Sequence, residues 1–146
     1  MPNKAALKAA TPMIAVHDGE AALEFYKKGF GAKEVGERYP YEGKIGHAEF
    51  EVEGALVMLA DEFPEHNRSP KTLGGTPVII HVQTGDVDAI VERATGAGGK
   101  LTRPVSDNPY GRTARILDPF GHMWMFNGPV KTKKRSRPRA KPRPGR

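Results

Sequence analysis

Four ionisable residues carry most of the chemistry this sequence could perform: His47, Glu49, His81 and Arg115. His47 and Glu49 stand two apart in Gly46-His-Ala-Glu-Phe50, where apolar and polar residues alternate. On a strand that spacing puts both side chains on one face. His81 follows the apolar run Val78-Ile-Ile80, and Arg115 lies in Arg112-Thr-Ala-Arg-Ile-Leu117, another alternating stretch. Ionisable groups facing a pocket are costly unless something pairs with them. Three arrangements meet that requirement. The four residues satisfy one another as a network of ion pairs and hydrogen bonds. Alternatively, Arg115 clamps an anionic group such as a carboxylate or phosphonate, while His47 or His81 fixes its orientation. In the third arrangement His47, His81 and Glu49 form a displaced two-histidine, one-carboxylate site for a divalent metal, which the nearby cation of Arg115 disfavours. In an enzyme of this kind, Glu49 or His47 is the candidate general base.

Composition removes several other chemistries. The chain of 146 residues contains no cysteine, which excludes disulfides, zinc–thiolate sites and thiol nucleophiles. No P-loop, dinucleotide-binding glycine fingerprint or GxSxG motif is present. The glycines of Lys27-Lys-Gly-Phe-Gly31 end a helical pattern, so they read as caps and not as a phosphate cradle. No apolar run approaches the roughly 20 residues of a membrane helix, and no signal-peptide pattern opens the chain. A cytoplasmic protein with no membrane partner is the expectation.

The net charge of +6 is unevenly distributed. Residues 131–146 hold nine Lys and Arg and no acid, leaving fourteen bases against seventeen acids elsewhere, a balance of −3. A mildly acidic body therefore carries a basic tail. That tail, within 128–146, has too little apolar surface to offset the entropy of ordering and is expected to be disordered. Weak contact with nucleic acid or another polyanion through residues 131–146 is the partner it suggests, though stacking aromatics are lacking.

The halves of the body repeat. Thr11-Pro12 recurs as Thr76-Pro77, Gly29-x-Gly31-x-Lys33 as Gly96-x-Gly98-x-Lys100, Gly43-Lys44 as Gly111-Arg112, and Gly54 as Gly121. Nearly constant offsets indicate an internal duplication. In the first copy a strand at 13–16 precedes a helix at 19–28 capped by Asp18, then strands at 33–38, 44–52 and 55–60. In the second, a strand at 78–82 precedes a helix at 87–95 capped by Asp86, then strands near 100–104, 112–117 and 122–126. The fold class that follows is α+β: two tandem βαβββ modules, spanning 11–62 and 76–127. A short extension (1–10) precedes them, and a polar connector (63–75) that could lie over a ligand mouth separates them.

Alternation sorts the faces. Gly46, Ala48, Phe50 and Val52 pack under a helix, leaving Ile45, His47, Glu49 and Glu51 toward a cavity. Ile14 and Val16 go inward, leaving Thr11, Met13 and Ala15. Val78, Ile80 and Val82 go inward, leaving Pro77, Ile79 and His81. Thr113, Arg115 and Leu117 face the cavity, as do Met123 and Met125, because Trp124 and Phe126 belong to the core. Tyr26 is likewise core, His122 is a structural imidazole bonding backbone, and His17 and His66 are solvated.

The strings His17-Asp-Gly-Glu-Ala-Ala-Leu-Glu-Phe-Tyr26, Gly43-Lys-Ile-Gly-His-Ala-Glu49, Leu56-Val-Met-Leu-Ala-Asp-Glu62 and Asp118-Pro-Phe-Gly-His-Met-Trp124 resemble the vicinal oxygen chelate superfamily, most of all its PhnB-like branch. That group contains glyoxalase I, bleomycin-resistance proteins and extradiol dioxygenases. The resemblance covers about 11–127. It implies curved mixed half-barrels around a ligand cavity, and a homodimer. Metal ligands in the superfamily are His or Glu on the first and last strand of each module, and alignment places those positions at Thr11, Met58, Pro77 and Met125. None suits a hard or borderline divalent ion. The expectation is therefore a small-molecule-binding protein with no cofactor. Met13, Met58, Ile79, Met123 and Met125 form its apolar walls, and His47, Glu49, His81, Arg115 and Thr113 its polar lining. A divalent metal enters only at the displaced site. The alternatives are a metal-dependent lyase, isomerase or dioxygenase, and a nucleic-acid-associated dimer acting through its tail.

Overall fold

The computed structural model describes residues 9–130; the basic tail at 131–146 and most of the N-terminal extension lie outside them. The first module runs β1 (Met13–Val16), α1 (Gly19–Phe30), β2 (Lys33–Tyr41), β3 (Lys44–Val52) and β4 (Ala55–Asp61). After a short helix α2 (Pro70–Leu73) in the connector, the second runs β5 (Ile79–Gln83), α3 (Val87–Gly96), β6 (Lys100–Asn108), β7 (Gly111–Leu117) and β8 (Met123–Gly128). The sheets have equivalent orders, β1-β4-β3-β2 and β5-β8-β7-β6. In each, the first strand pairs parallel with the last and the others pair antiparallel. The tandem βαβββ duplication is thus the architecture of the chain.

Local chemistry explains the boundaries. Asp18 and Asp86 occupy matching N-caps, each accepting the amide of the third residue on, Ala21 and Ala89. The β3–β4 hairpin turns on Glu53 and Gly54, at φ 53° and 84°. Two successive left-handed residues are what a tight two-residue hairpin loop requires. Strands β2 and β6 extend well past the sequence expectation, to Tyr41 and Asn108. Pro40 and Pro104 read as strand breakers, but both lie on strands at the rim of their sheets, where a missing N–H costs little. Register shifts accompany both extensions.

Helix α1 serves both modules. Tyr26 is fully buried, and its ring stacks on Phe50 of β3 with centroids 4.8 Å apart. Its hydroxyl donates to Asp118, which follows β7, at 2.5 Å. Phe30 packs edge-on against Trp124 and Phe126 of β8. One continuous aromatic core therefore lies between the sheets, as the sequence reading of Tyr26 and Trp124 requires. Each sheet turns its other face away from this core, and those outer faces carry the candidate site residues.

Two face assignments need correction. Val78 was expected under a helix but is 59% exposed, because β5 begins one residue later and leaves it before the ladder. Ile45 was expected in the cavity but is buried, its amide tied to the Asp61 carboxylate at 2.7 Å. The register shift near Tyr39 and Pro40 turns that end of the hairpin toward the core.

Candidate functional site

Strand register sets which ionisable residues share a row. Across the first sheet, Met13 pairs with Met58, Met58 with Glu49, and Glu49 with Val35. The corresponding row of the second sheet runs His81, Met125, Arg115 and Arg103. The rows are equivalent by position: a first-strand residue, a methionine on the last strand, then an ionisable residue on the third. Glu49 and Arg115 thus occupy matching places with opposite charge.

The four cavity candidates fall into two groups, one per sheet. His47 Nε2 lies 2.9 Å from Glu49 Oε2, so this pair satisfies itself, whereas the network reading joined all four residues. Ionised Glu49 accepts only, which puts the proton on His47 Nε2. His81 and Arg115 belong to the other sheet, with Ile79, Met123 and Met125. Among the described residues, no group of three or more His, Asp or Glu side chains is placed to hold a metal. The displaced triad of His47, Glu49 and His81 does not assemble within one chain, because β3 and β5 stand in different sheets.

Arg115 has an unusual environment. Its Nε is buried and meets no hydrogen-bond acceptor among the described residues. The register sets Arg103 beside it and no carboxylate in its row. The sequence reading placed Arg103 on the strand at 100–104 but assigned that strand no cavity face, so Arg103 was not a candidate. Thr113, expected to line the pocket, is buried, and its hydroxyl accepts from Asn108 within the hairpin. Met123 is also engaged, its sulfur receiving Thr102 Oγ1 at 3.5 Å.

Thr11 and Pro77 precede β1 and β5 and are not ladder residues. On the observed register the first-strand partners of Met58 and Met125 are Met13 and His81. The places the resemblance assigns to metal ligands thus hold a threonine, a proline and two thioethers, Thr11, Pro77, Met58 and Met125, with Met13 and His81 beside the two methionines. This donor set does not fit a hard or borderline divalent ion, since thioether sulfur favours soft metals.

Three hollows flank these elements. A cleft of about 490 Å³ opens over the first sheet, between Met13, Tyr39, Tyr41, His47, Phe63 and His66. Phe63, His66 and Asn67 of the connector line this cleft. A groove of about 500 Å³ between the edge strands takes in Thr11, Leu56, Val78, Ile79 and His81. The largest, about 690 Å³, sits at the start of α1, away from the cavity-facing rows. Its charges are already paired: Arg38 bonds Glu20 and Glu34, and Asp61 accepts the amides of Gly19 and Ile45. The hydrogen bond from Arg38 holds the Glu34 carboxyl below the usual range. His122 bonds the Ala15 carbonyl at 2.8 Å, in keeping with its structural reading.

Paired βαβββ modules, each with a mixed four-stranded sheet, define a glyoxalase-like fold. The chain belongs to the Glyoxalase/Bleomycin resistance protein/Dioxygenase superfamily, whose family model matches residues 8–126. It is 39% identical over 128 residues to an uncharacterized protein of Mycobacterium bovis, covering 84% of each chain. An uncharacterized Mycobacterium tuberculosis protein shows the same identity, with 75% of its length covered. Among solved structures, TioX from Micromonospora sp. ML1 superposes with a TM-score of 0.67 at 28% identity, over 84% of this chain and 97% of that one. TnmS3, an antibiotic-binding protein from Streptomyces sp. CB03234, shares the fold with a TM-score of 0.61 at 23% identity, covering 84% and 98%. Among the described residues, no helix is long and apolar enough to cross a membrane.

Proposed function

We propose that this protein binds an amphipathic small molecule carrying an anionic group, and that it sequesters or recognises that molecule without a resident metal. The observation that carries this reading is the buried Nε of Arg115 on β7, which meets no acceptor among the described residues. A carboxylate or phosphonate oxygen supplies the missing acceptor through a charge-assisted hydrogen bond. His81 and Arg103 flank the same row, and Met125 and Ile79 offer polarizable and aliphatic surface for the apolar part. The metal-free element rests on donor chemistry, the four ligand places being Thr11, Met58, Pro77 and Met125. A fold relative that binds an antibiotic is consistent with a binding role. Membership of the PhnB-like branch and a homodimer belong to the same reading. The nucleic-acid reading depends on residues 131–146, outside those described.

Calorimetric titration with octylphosphonate, and with octanol as the uncharged control, tests this. The phosphonate should bind with one site per chain and lose at least tenfold in affinity in Arg115→Ala, since a hydrogen bond to a charged group contributes about 1.5–3 kcal/mol. Unchanged affinity in that variant would sink the anion clamp.

A further inference from the structure

We propose that the cleft over the first sheet is a second subsite, which takes a flat aromatic ring bearing a phenolic O–H or ring N–H. Tyr39 and Tyr41 are 63% and 48% exposed, although each flanks a hollow of about 490 Å³. That volume lies within the range of small-molecule sites, roughly 300–1,000 Å³. Phe63, from the connector, stands edge-on to Tyr41 with centroids 5.1 Å apart, and Tyr39 lies 6.4 Å from the His47 ring. Aromatic faces left open around a hollow favour an aromatic guest, which stacks offset or edge-on against them.

His47 supplies the polar reading. With Glu49 accepting the Nε2 proton, His47 in its neutral form has Nδ1 as its acceptor. A guest that donates a hydrogen bond is therefore recognised, and an isosteric guest without a donor is not. Glu49 is a positioning residue here, acting through the tautomer of His47. Its charge also makes this subsite unsuited to the anions that Arg115 favours. The inference goes beyond the anion clamp and uses a different sheet and different residues, so the two stand or fall separately.

The test uses the full chain and the fluorescent probe β-naphthol, with its methyl ether as the donor-less control. Saturable binding of one β-naphthol per chain is expected, with the ether at least tenfold weaker. Tyr39→Ala should weaken β-naphthol at least fivefold. His47→Ala should abolish the preference over the ether, and Glu49→Gln should reduce it. Arg115→Ala should leave β-naphthol affinity within twofold while octylphosphonate binding falls. Equal affinity for the two naphthalenes, a preference that survives His47→Ala, or no saturable binding overturns the proposal. Should His47→Ala fail to fold, Tyr39→Ala decides alone, because a residue so exposed contributes little to the core.

Discussion

Arg115 shows at the residue scale how a site and stability pull in opposite directions. A buried donor without an acceptor costs about 1–3 kcal/mol, and no contact among the described residues offsets it at Nε. An unbranched apolar side chain of similar length removes that penalty and keeps the packing of the stem. Arg115→Met should therefore raise stability by about 1 kcal/mol, read as a higher thermal midpoint, while octylphosphonate binding is lost. A lower midpoint would mean that the guanidinium stabilises the fold, which would weaken its assignment as a waiting anion contact. Alternation already separated this arginine from Arg112, three residues earlier, but not their partners. Arg112 is engaged by Asp88 and Asp107, whereas Arg115 Nε meets no acceptor among the described residues.

Among the elements, the turn from β7 to β8 is the most tightly determined. Asp118 accepts the amides of Phe120 and His122 through one oxygen, and Tyr26 and Trp124 through the other. Four donors converge on one buried carboxylate, so its loss strands several polar groups at once. Asp118→Ala should cost about 3–5 kcal/mol by chemical denaturation, well above a typical surface substitution. The opposite turn is simpler. Gly54 sits at φ 84°, and Gly54→Ala should cost about 1–2 kcal/mol for placing a Cβ in left-handed backbone. Both turns were legible in the sequence, because Asp-Pro-x-Gly and Glu-Gly between apolar runs name their own geometry. The ends of β2 and β6 were not, since a proline at a sheet rim is tolerated by topology that local sequence does not encode. The aromatic cleft and Arg103 were missed as well. His47 and Glu49 were found by alternation, but their division from His81 and Arg115 follows from which strands share a sheet.

At the scale of the molecule, α1 binds the two modules into one cooperative unit through Tyr26. Burial, reinforced by the adjacent Asp118 carboxylate, pushes the Tyr26 hydroxyl well above its ordinary value near 10. The folded state thus keeps a proton that the unfolded chain releases on titration. Below about pH 10 both states are protonated and the contribution is complete; above it the unfolded state sheds its proton first and stability falls. Thermal midpoints should therefore drop more steeply between about pH 10 and 11 in the parent protein than in Tyr26→Phe, which has no proton to lose there. At neutral pH the same variant should be the less stable one, because Asp118 loses a donor. A crossing of the two curves on going alkaline is the signature of a buried tyrosine linking the halves. Parallel curves would show that Tyr26 titrates freely, and that the modules are held together by aromatic packing alone.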